Sequence, residues 1–90
     1  MKPNVIIINA KDNVAIALGN IKAGESVLLP EGGSFPARSD IEFSHKVLLG
    51  DLKAGDKIIK YGEVIGHAAA DSPKGEWIHT HNMTFREDES

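Results

Sequence analysis

Glycine and proline interrupt the apolar segments of this chain, and this limits the folds that it can adopt. Nowhere does an apolar pattern of helical period run for ten residues without a glycine. β-Branched residues suit pleated, half-buried strands, whereas Gly and Asn supply turn geometry. Val14–Leu18 is compatible with a strand or a single helical turn after Asp12, and we expect the strand. The sequence therefore predicts a mostly β domain of short strands and glycine-rich turns, with at most one or two helical turns.

A weak internal repeat supports this interpretation. The segment Asn20–Leu28 (NIKAGESVL) recurs as Asp51–Ile59 (DLKAGDKII), and a shorter copy follows at Lys74–Ile78 (KGEWI). Each copy places a glycine and then an acid before a strand, which predicts a tight turn with the glycine at positive φ. Two full copies are too few for a solenoid, so the repeat indicates a pseudo-symmetric compact β fold. The alternative is that such turns recur by chance in a small β protein.

Composition excludes several classes of function. The 90 residues suffice for one domain, which we assign to residues 1–85, and we expect the acidic segment 86–90 to be a disordered tail. Ten basic and thirteen acidic residues give a formal charge of −3, so no basic field exists for nucleic acid or an anionic membrane. There is no cysteine, hence no disulfide and no thiolate. No apolar run approaches a membrane span, and we expect a cytoplasmic protein.

The segment Trp77–Met83 carries the most informative pattern. In a strand, Trp77, His79 and His81 would project to one face. Two imidazoles at i and i+2 can converge on a metal ion or flank a substrate as proton-transfer groups, and the Asn82 amide beside them could hold a carboxylate or a hydroxyl. The alternative is a solvated strand face on which two histidines happen to alternate, because a metal site needs three or four ligands.

Four other residues are weaker candidates. His45 and Lys46 together would offer an acid/base group next to a fixed cation, as a carboxylate substrate requires, although each is also an ordinary surface residue. Tyr61 lies between two strand segments, where a hairpin turn is favoured over a site, and His67 is expected on a packed strand. No nucleophile elbow, phosphate-binding loop or dinucleotide motif is present. A domain this small is poorly equipped to enclose a substrate, so another chain is expected to complete any site.

Taken in order, four blocks of the chain resemble the N-terminal SAF domain of the altronate and galactarate dehydratase family. The blocks are Asn13–Leu18 followed by Lys22–Glu25, His45–Leu49 (HKVLL), Ile59–Gly66 (IKYGEVIG) and Gly75–Met83 (GEWIHTHNM). The His-Thr-His-Asn block is the most specific of the four. In one place the sequence departs from the pattern: Ile41–Ser44 stands where the family has proline and glycine before the His-Lys pair. We expect this loop to present His45 differently, so the choice of substrate stays open.

The resemblance implies a β-clip fold and a lyase that removes water from sugar acids such as altronate or galactarate. It implies a small subunit or N-terminal domain beside a larger catalytic subunit, which would hold a divalent metal, iron or manganese. Carried over, His45, His79 and His81 are the expected catalytic residues, and Lys46, Asn82 and Tyr61 the expected substrate-binding residues. In particular, Lys46 would hold the substrate carboxylate, and Asn82 would orient a hydroxyl. His79 and His81 could also assist the metal, and the isolated chain is expected to be inactive.

The sequence is also compatible with other functions. Some members of the family remove sulfite from sulfolactate instead of water, and the present chain could be the small subunit of such a sulfo-lyase. A non-catalytic SAF module that only binds a ligand is the alternative from a different class, although it would not need clustered histidines. A self-contained metal-dependent enzyme is disfavoured because too few ligands are local.

Overall fold

The structure, a computed structural model, describes residues 2–84 and consists of short antiparallel strands. The strands are β1 (Val5–Ile6), β2 (Val14–Ala17), β3 (Ser26–Leu28), β4 (Ser34–Pro36), β5 (Lys46–Leu48), β6 (Lys57–Lys60), β7 (Glu63–Ala68), β8 (Trp77–Ile78) and β9 (Met83–Thr84). A 3-10 turn at Thr80–Asn82 is the only helical element that is seen between residues 2 and 84. The mostly β fold class is therefore confirmed. The predicted tail 86–90 lies outside the described residues.

A four-stranded sheet in the order β1-β2-β5-β8 forms the centre of the domain. The β3–β4 hairpin packs against one of its faces, and the small sheet β6-β7-β9 packs against the other. Successive residues of a strand point to opposite faces, so β2 and β5 must be apolar on both sides. Ala15 and Val47 accordingly lie in the first core, and Val14 and Leu48 lie in the second.

The repeated segments fold into the turns that the sequence predicts. All three glycines adopt positive φ: Gly24 (89°), Gly55 (90°) and Gly75 (92°). In the two full copies the acid after the glycine closes the turn, because its carboxylate accepts the backbone N–H three residues earlier. The Lys22 N–H donates to Glu25 at 2.7 Å, and the Lys53 N–H donates to Asp56 at 2.9 Å. The two full copies of the repeat therefore form the same turn, closed by the same kind of hydrogen bond.

Two local predictions have different outcomes. Val14–Ala17 is a strand, as expected. A continuous strand over residues 77–83 is wrong, because β8 ends at Ile78 and the chain then enters the 3-10 turn. Across residues 2–84, we find no helix with the length and apolarity needed to cross a membrane.

Candidate functional site

Three imidazole rings gather around the indole of Trp77 on the surface of the domain. The ring centroids of His45 and His79 lie 5.6 Å and 5.3 Å from that of Trp77, and both rings are stacked on the indole. The His81 ring lies 4.7 Å away and is tilted. We call this group, His45, Trp77, His79 and His81, the imidazole face. Two separate segments of the sequence supply it, and the structure brings all three predicted catalytic histidines together.

Asn82 fixes the part of the imidazole face that follows β8. Its side-chain oxygen accepts the His79 N–H at 2.8 Å, and its amide nitrogen donates to the Trp77 carbonyl at 2.7 Å. These bonds fold residues 79–82 into the 3-10 turn, which returns the His81 ring to the indole. Both ends of the amide therefore hold the backbone. The predicted contact of Asn82 with a substrate hydroxyl stays a prediction.

The loop before β5 positions His45. Ser44 adopts a left-handed conformation with φ of 67°, and its N–H donates to the Ala17 carbonyl at 2.8 Å. The His45 N–H closes the turn on Glu42 at 3.0 Å. Glycine would be unstrained at this φ, whereas serine adopts it at a cost. Beyond the turn, the indole Nε1 of Trp77 donates to Nδ1 of His45 at 2.9 Å.

The imidazole face borders an open groove of about 440 Å³, lined by Ser39, Asp40, Glu42, His45, Trp77 and His79. One Asp40 oxygen accepts the Ala23 N–H at 2.9 Å, whereas the Glu42 side chain is exposed. Among residues 2–84, neither lysine nor arginine lines the groove. Two carboxylates without a cation repel an anion, so the described part of this chain does not supply the positive charge that a substrate carboxylate needs.

Lys46 does not stand beside the histidines, although it follows His45 in the sequence. In β5 it is opposite Ile16 and Ile78, whereas Trp77 is opposite Val47. Adjacent strand residues point to opposite faces, so the pleat separates the amine from the indole. Partial burial, and then the charge of Lys60, lower the pKa of Lys46. The arrangement of a cation next to an imidazole, which the sequence suggested for His45 and Lys46, is therefore corrected.

Tyr61 lies on the same side as Lys46 and also away from the imidazole face. It occupies a two-residue hairpin turn between β6 and β7 with Gly62, at φ of 58° and 77°, and its side chain is 55% exposed. Positive φ at both central residues is the geometry of a type I′ turn. The Lys60 Nζ lies 4.7 Å from the centre of the Tyr61 ring. We call Lys46, Lys60 and Tyr61 the lysine face; the predicted substrate contacts of Lys46 and Tyr61 stay predictions for that side.

Asp12 locks this hairpin onto the loop before β2. Its carboxylate accepts the Gly62 N–H at 2.8 Å and the Asn9 N–H at 3.1 Å. Partial desolvation opposes ionisation, but the backbone N–H donors of Gly62, Tyr61 and Asn9 together lower the pKa of Asp12. The tip of the hairpin is tightly fitted, because a Cβ on Gly62 would lie 2.8 Å from the Asn9 amide nitrogen.

Other titratable residues have structural positions. His67 lies in β7 with 2% of its surface exposed, which confirms the packed strand that the sequence favours. A second cavity of about 580 Å³ is bordered by Asp51, Asp56 and Asp71. Each of these carboxylates accepts a backbone N–H of a neighbouring turn, at 2.8–2.9 Å. They are turn caps and not a cluster of free carboxylates.

The residues that the structure describes do not by themselves form a metal centre. Between residues 2 and 84, no group of three or more histidine or acidic side chains is placed to hold a metal ion. His79 and His81 lie 6.4 Å apart by their ring centroids and are exposed. A metal that used these imidazoles would therefore need further ligands from outside residues 2–84.

Sequence reasoning missed one central member of the site. Trp77 appeared there only as a residue on the same face as His79 and His81, but its indole contacts all three histidines. The alternation in the sequence carried part of this signal. No local pattern indicated that His45, 32 positions away, would accept the indole N–H.

Fold and site together define a small β domain that presents clustered imidazoles on an open surface. The profile of the family described as "Altronate/galactarate dehydratase SAF domain" matches residues 3–86, and the chain belongs to this family. It is 46% identical over 77 residues to altronate dehydratase of Bacillus subtilis (strain 168). It is also 52% identical over 46 residues to (2R)-sulfolactate sulfo-lyase subunit alpha of Paracoccus pantotrophus.

The coverage of these relatives differs greatly. The alignment takes in 86% of this chain but only 15% of the Bacillus altronate dehydratase. Against the sulfo-lyase subunit it takes in 51% of this chain and 69% of the relative. The galactarate dehydratase (L-threo-forming) of Escherichia coli (strain K12) is 41% identical over 75 residues, which are 14% of its length. The chain thus corresponds to a small part of the dehydratases and to most of one lyase subunit.

Proposed function

We propose that this chain is the small subunit, or N-terminal domain, of a cytoplasmic sugar-acid hydro-lyase and completes the active site of a larger subunit. The observation that carries the proposal is the imidazole face, where three histidines converge beside an open groove. Family membership supports the reaction class, since the relatives named altronate and galactarate dehydratase share this domain. The openness of the groove supports the need for a second chain.

The chemistry requires groups of this type. Loss of water from a 2,3-dihydroxy acid begins when a base takes the proton from the carbon next to the carboxylate. An acid then protonates the hydroxyl on the neighbouring carbon, which leaves as water while a double bond forms between the two carbons. The resulting enol tautomerises to the 2-keto-3-deoxy acid. Imidazoles can serve as base and acid near neutral pH, and we assign the proton transfers to His79 and His81.

The remaining requirements fall to the larger subunit. Elimination next to a carboxylate also needs positive charge on that carboxylate. No lysine or arginine of the described range 2–84 lines the groove, and Lys46 lies across the sheet, so we assign this charge to the partner. A divalent metal, iron or manganese, would also be held mainly by the partner, because the described part of this chain lacks a cluster of three ligands.

One comparison favours a second candidate substrate. The sulfo-lyase relative is itself named a subunit, and the alignment covers 69% of it. A domain of this kind therefore forms most of one subunit of a lyase, as we propose for the present chain. Loss of sulfite from sulfolactate also begins at an acidic C–H, so the same base would serve. We propose this as the alternative reaction of the same site.

Affinity purification of the tagged chain from its host tests the proposal, with the eluate assayed on altronate, galactarate and sulfolactate. We expect one larger protein to be recovered, together with metal-dependent release of keto acid or sulfite. The product identifies the substrate. Recovery of the chain alone, with no turnover, would contradict the lyase function and favour a non-catalytic ligand-binding module.

A further inference from the structure

The hydrogen bond between Trp77 and His45 restricts the protonation of His45. An indole N–H can only donate, so Nδ1 of His45, 2.9 Å away, must accept through its lone pair. A neutral imidazole carries one proton, which must then be on Nε2. An imidazolium carries protons on both nitrogens, and a protonated His45 would have to give up the bond to Trp77.

We propose that Trp77 is a positioning residue that holds His45 as the Nε2–H tautomer, so that His45 offers a hydrogen-bond donor and not a base. The part of this inference that concerns substrate rests on the proposed function. The Nε2–H would donate to a substrate oxygen at the groove, which His45 lines. Neutral imidazole donors stabilise charge that develops on oxygen during enolisation.

The neighbouring rings support this division of roles. His79 stacks on Trp77 at an interplanar angle of 12°, and His45 stacks at 28°, so the indole orders both rings. The side chains of His79 and His81 are exposed. The indole N–H is donated to His45, whereas the indole meets His79 and His81 only through ring contacts. Three histidines of similar appearance thus have two different roles.

Nuclear magnetic resonance of the nitrogen-15-labelled full chain tests the tautomer without any partner. The chain has one tryptophan, so its indole signal needs no further assignment. We expect the Nδ1 of His45 to resonate as an unprotonated nitrogen, Nε2 as a protonated one, and a coupling between Nδ1 and the indole nitrogen across the hydrogen bond. A dominant Nδ1–H form, or a mixture of both tautomers without this coupling, would overturn the proposal.

Trp77→Phe tests the functional part, because it keeps an aromatic ring and removes the donor. In the reconstituted complex we expect kcat to fall by about tenfold or more while KM changes little, since the interaction acts on the transition state. In the same variant the His45 signals should move towards a mixture of tautomers. Unchanged kcat in Trp77→Phe would overturn the positioning role.

The outcomes separate the two proposals. If no larger subunit or turnover is found, the proposed function fails, whereas the measurement on the isolated chain still decides the tautomer. If Trp77→Phe does not fold, the spectrum of the wild-type chain still determines the tautomer of His45. The variant His45→Phe then gives a second test of the hydrogen bond. In that variant the indole N–H loses its acceptor, so we expect it to exchange with solvent faster; an unchanged exchange rate would count against the hydrogen bond.

Discussion

The imidazole face and the lysine face begin at adjacent residues of the sequence and yet are on opposite sides of the central sheet. His45 contacts Trp77, whereas Lys46 pairs across the strands with Ile16 and Ile78 and lies near Lys60. The alternation of a strand separates them. His45 and Lys46 suggest one site in the sequence but therefore belong to different surfaces. Neighbouring residues of a strand should be assigned to one substrate site only when the pairing of that strand is known.

The two faces also differ in what their polar groups do. On the imidazole face the histidine and tryptophan rings contact one another, and their edges border a groove. On the other side, the Asp12 carboxylate accepts hydrogen bonds from backbone N–H groups and so fixes the hairpin that carries Tyr61. This contrast predicts that substitutions on the imidazole face change turnover, whereas those around the lysine face change stability.

The largest effect is expected from His79→Ala and His81→Ala. Loss of a proton-transfer group lowers turnover by about 10²- to 10⁴-fold, and we expect this for at least one of the two variants in the reconstituted complex. Both side chains are exposed, so the thermal midpoint should stay close to that of the wild type. Turnover measurements and thermal unfolding check the two parts. Wild-type turnover in both variants would contradict the assignment of the proton transfers to the imidazole face.

The next effect concerns stability and comes from Asp12→Ala. The substitution leaves two backbone N–H groups without their charged acceptor, and we expect a loss of about 1–2 kcal/mol in the free energy of unfolding, measured with urea. Asp12→Asn keeps one acceptor oxygen and should lose less. Turnover per folded molecule should not change. An unaltered unfolding midpoint in Asp12→Ala would show that the hairpin does not depend on this carboxylate.

The pH dependence of the same residue gives a separate test. The folded chain lowers the pKa of Asp12, so the carboxylate stabilises the fold fully above its unfolded pKa, near 4. This contribution is lost as the pH falls through the lower pKa of the folded state. The stability difference between wild type and Asp12→Asn should therefore shrink below about pH 4. A difference that stays constant from neutral to acid pH would contradict the assignment.

A smaller effect, of opposite sign, is expected for Lys46→Met. Partial burial and the charge of Lys60 disfavour the protonated amine in the fold, so its removal should stabilise the chain at neutral pH by about 0.5 kcal/mol. The gain should vanish as the pH rises towards about 10, where the unfolded lysine also loses its proton. Turnover should fall less than about tenfold. A larger loss would show that the lysine face binds the substrate carboxylate after all.

The smallest effect is expected for Ser44→Gly. Ser44 has φ of 67°, where a side chain costs about 1 kcal/mol, and glycine removes this strain at some cost in chain entropy. We expect a net stabilisation of about 0.5 kcal/mol in thermal unfolding. Ser44→Ala keeps the Cβ and should not stabilise. If Ser44→Gly is destabilising, the serine side chain has a role that its backbone does not reveal.

The sequence predicted local features well because local chemistry decides them. The glycine turns of the repeat, the strand at Val14–Ala17 and the hairpin at Tyr61 all follow from the residues at those positions. The strand over residues 77–83 was wrong because Asn82 binds the backbone of His79 and Trp77 and curls the chain. Strand propensity contains no term for such a side-chain bond.

The site was predicted only in part because its assembly depends on register. The sequence predicted that His79 and His81 act as a pair, and their rings do lie near each other although they are in a 3-10 turn and not in a strand. The contact of His45 with Trp77 and the separation of Lys46 both depend on how β5 pairs with β8. Nor could local sequence place Asp40 and Glu42 in the groove. These are long-range facts, and one sequence without strand pairing does not contain them.

We propose that a larger subunit covers the imidazole face and not the lysine face. The chain contains one tryptophan and one tyrosine, Trp77 on the first face and Tyr61 on the second. Fluorine labels on these two rings therefore report each face as a single resonance. When the larger subunit is added, we predict that the Trp77 signal shifts and that the Tyr61 signal keeps its position. A shift at Tyr61 with Trp77 unchanged would contradict the account.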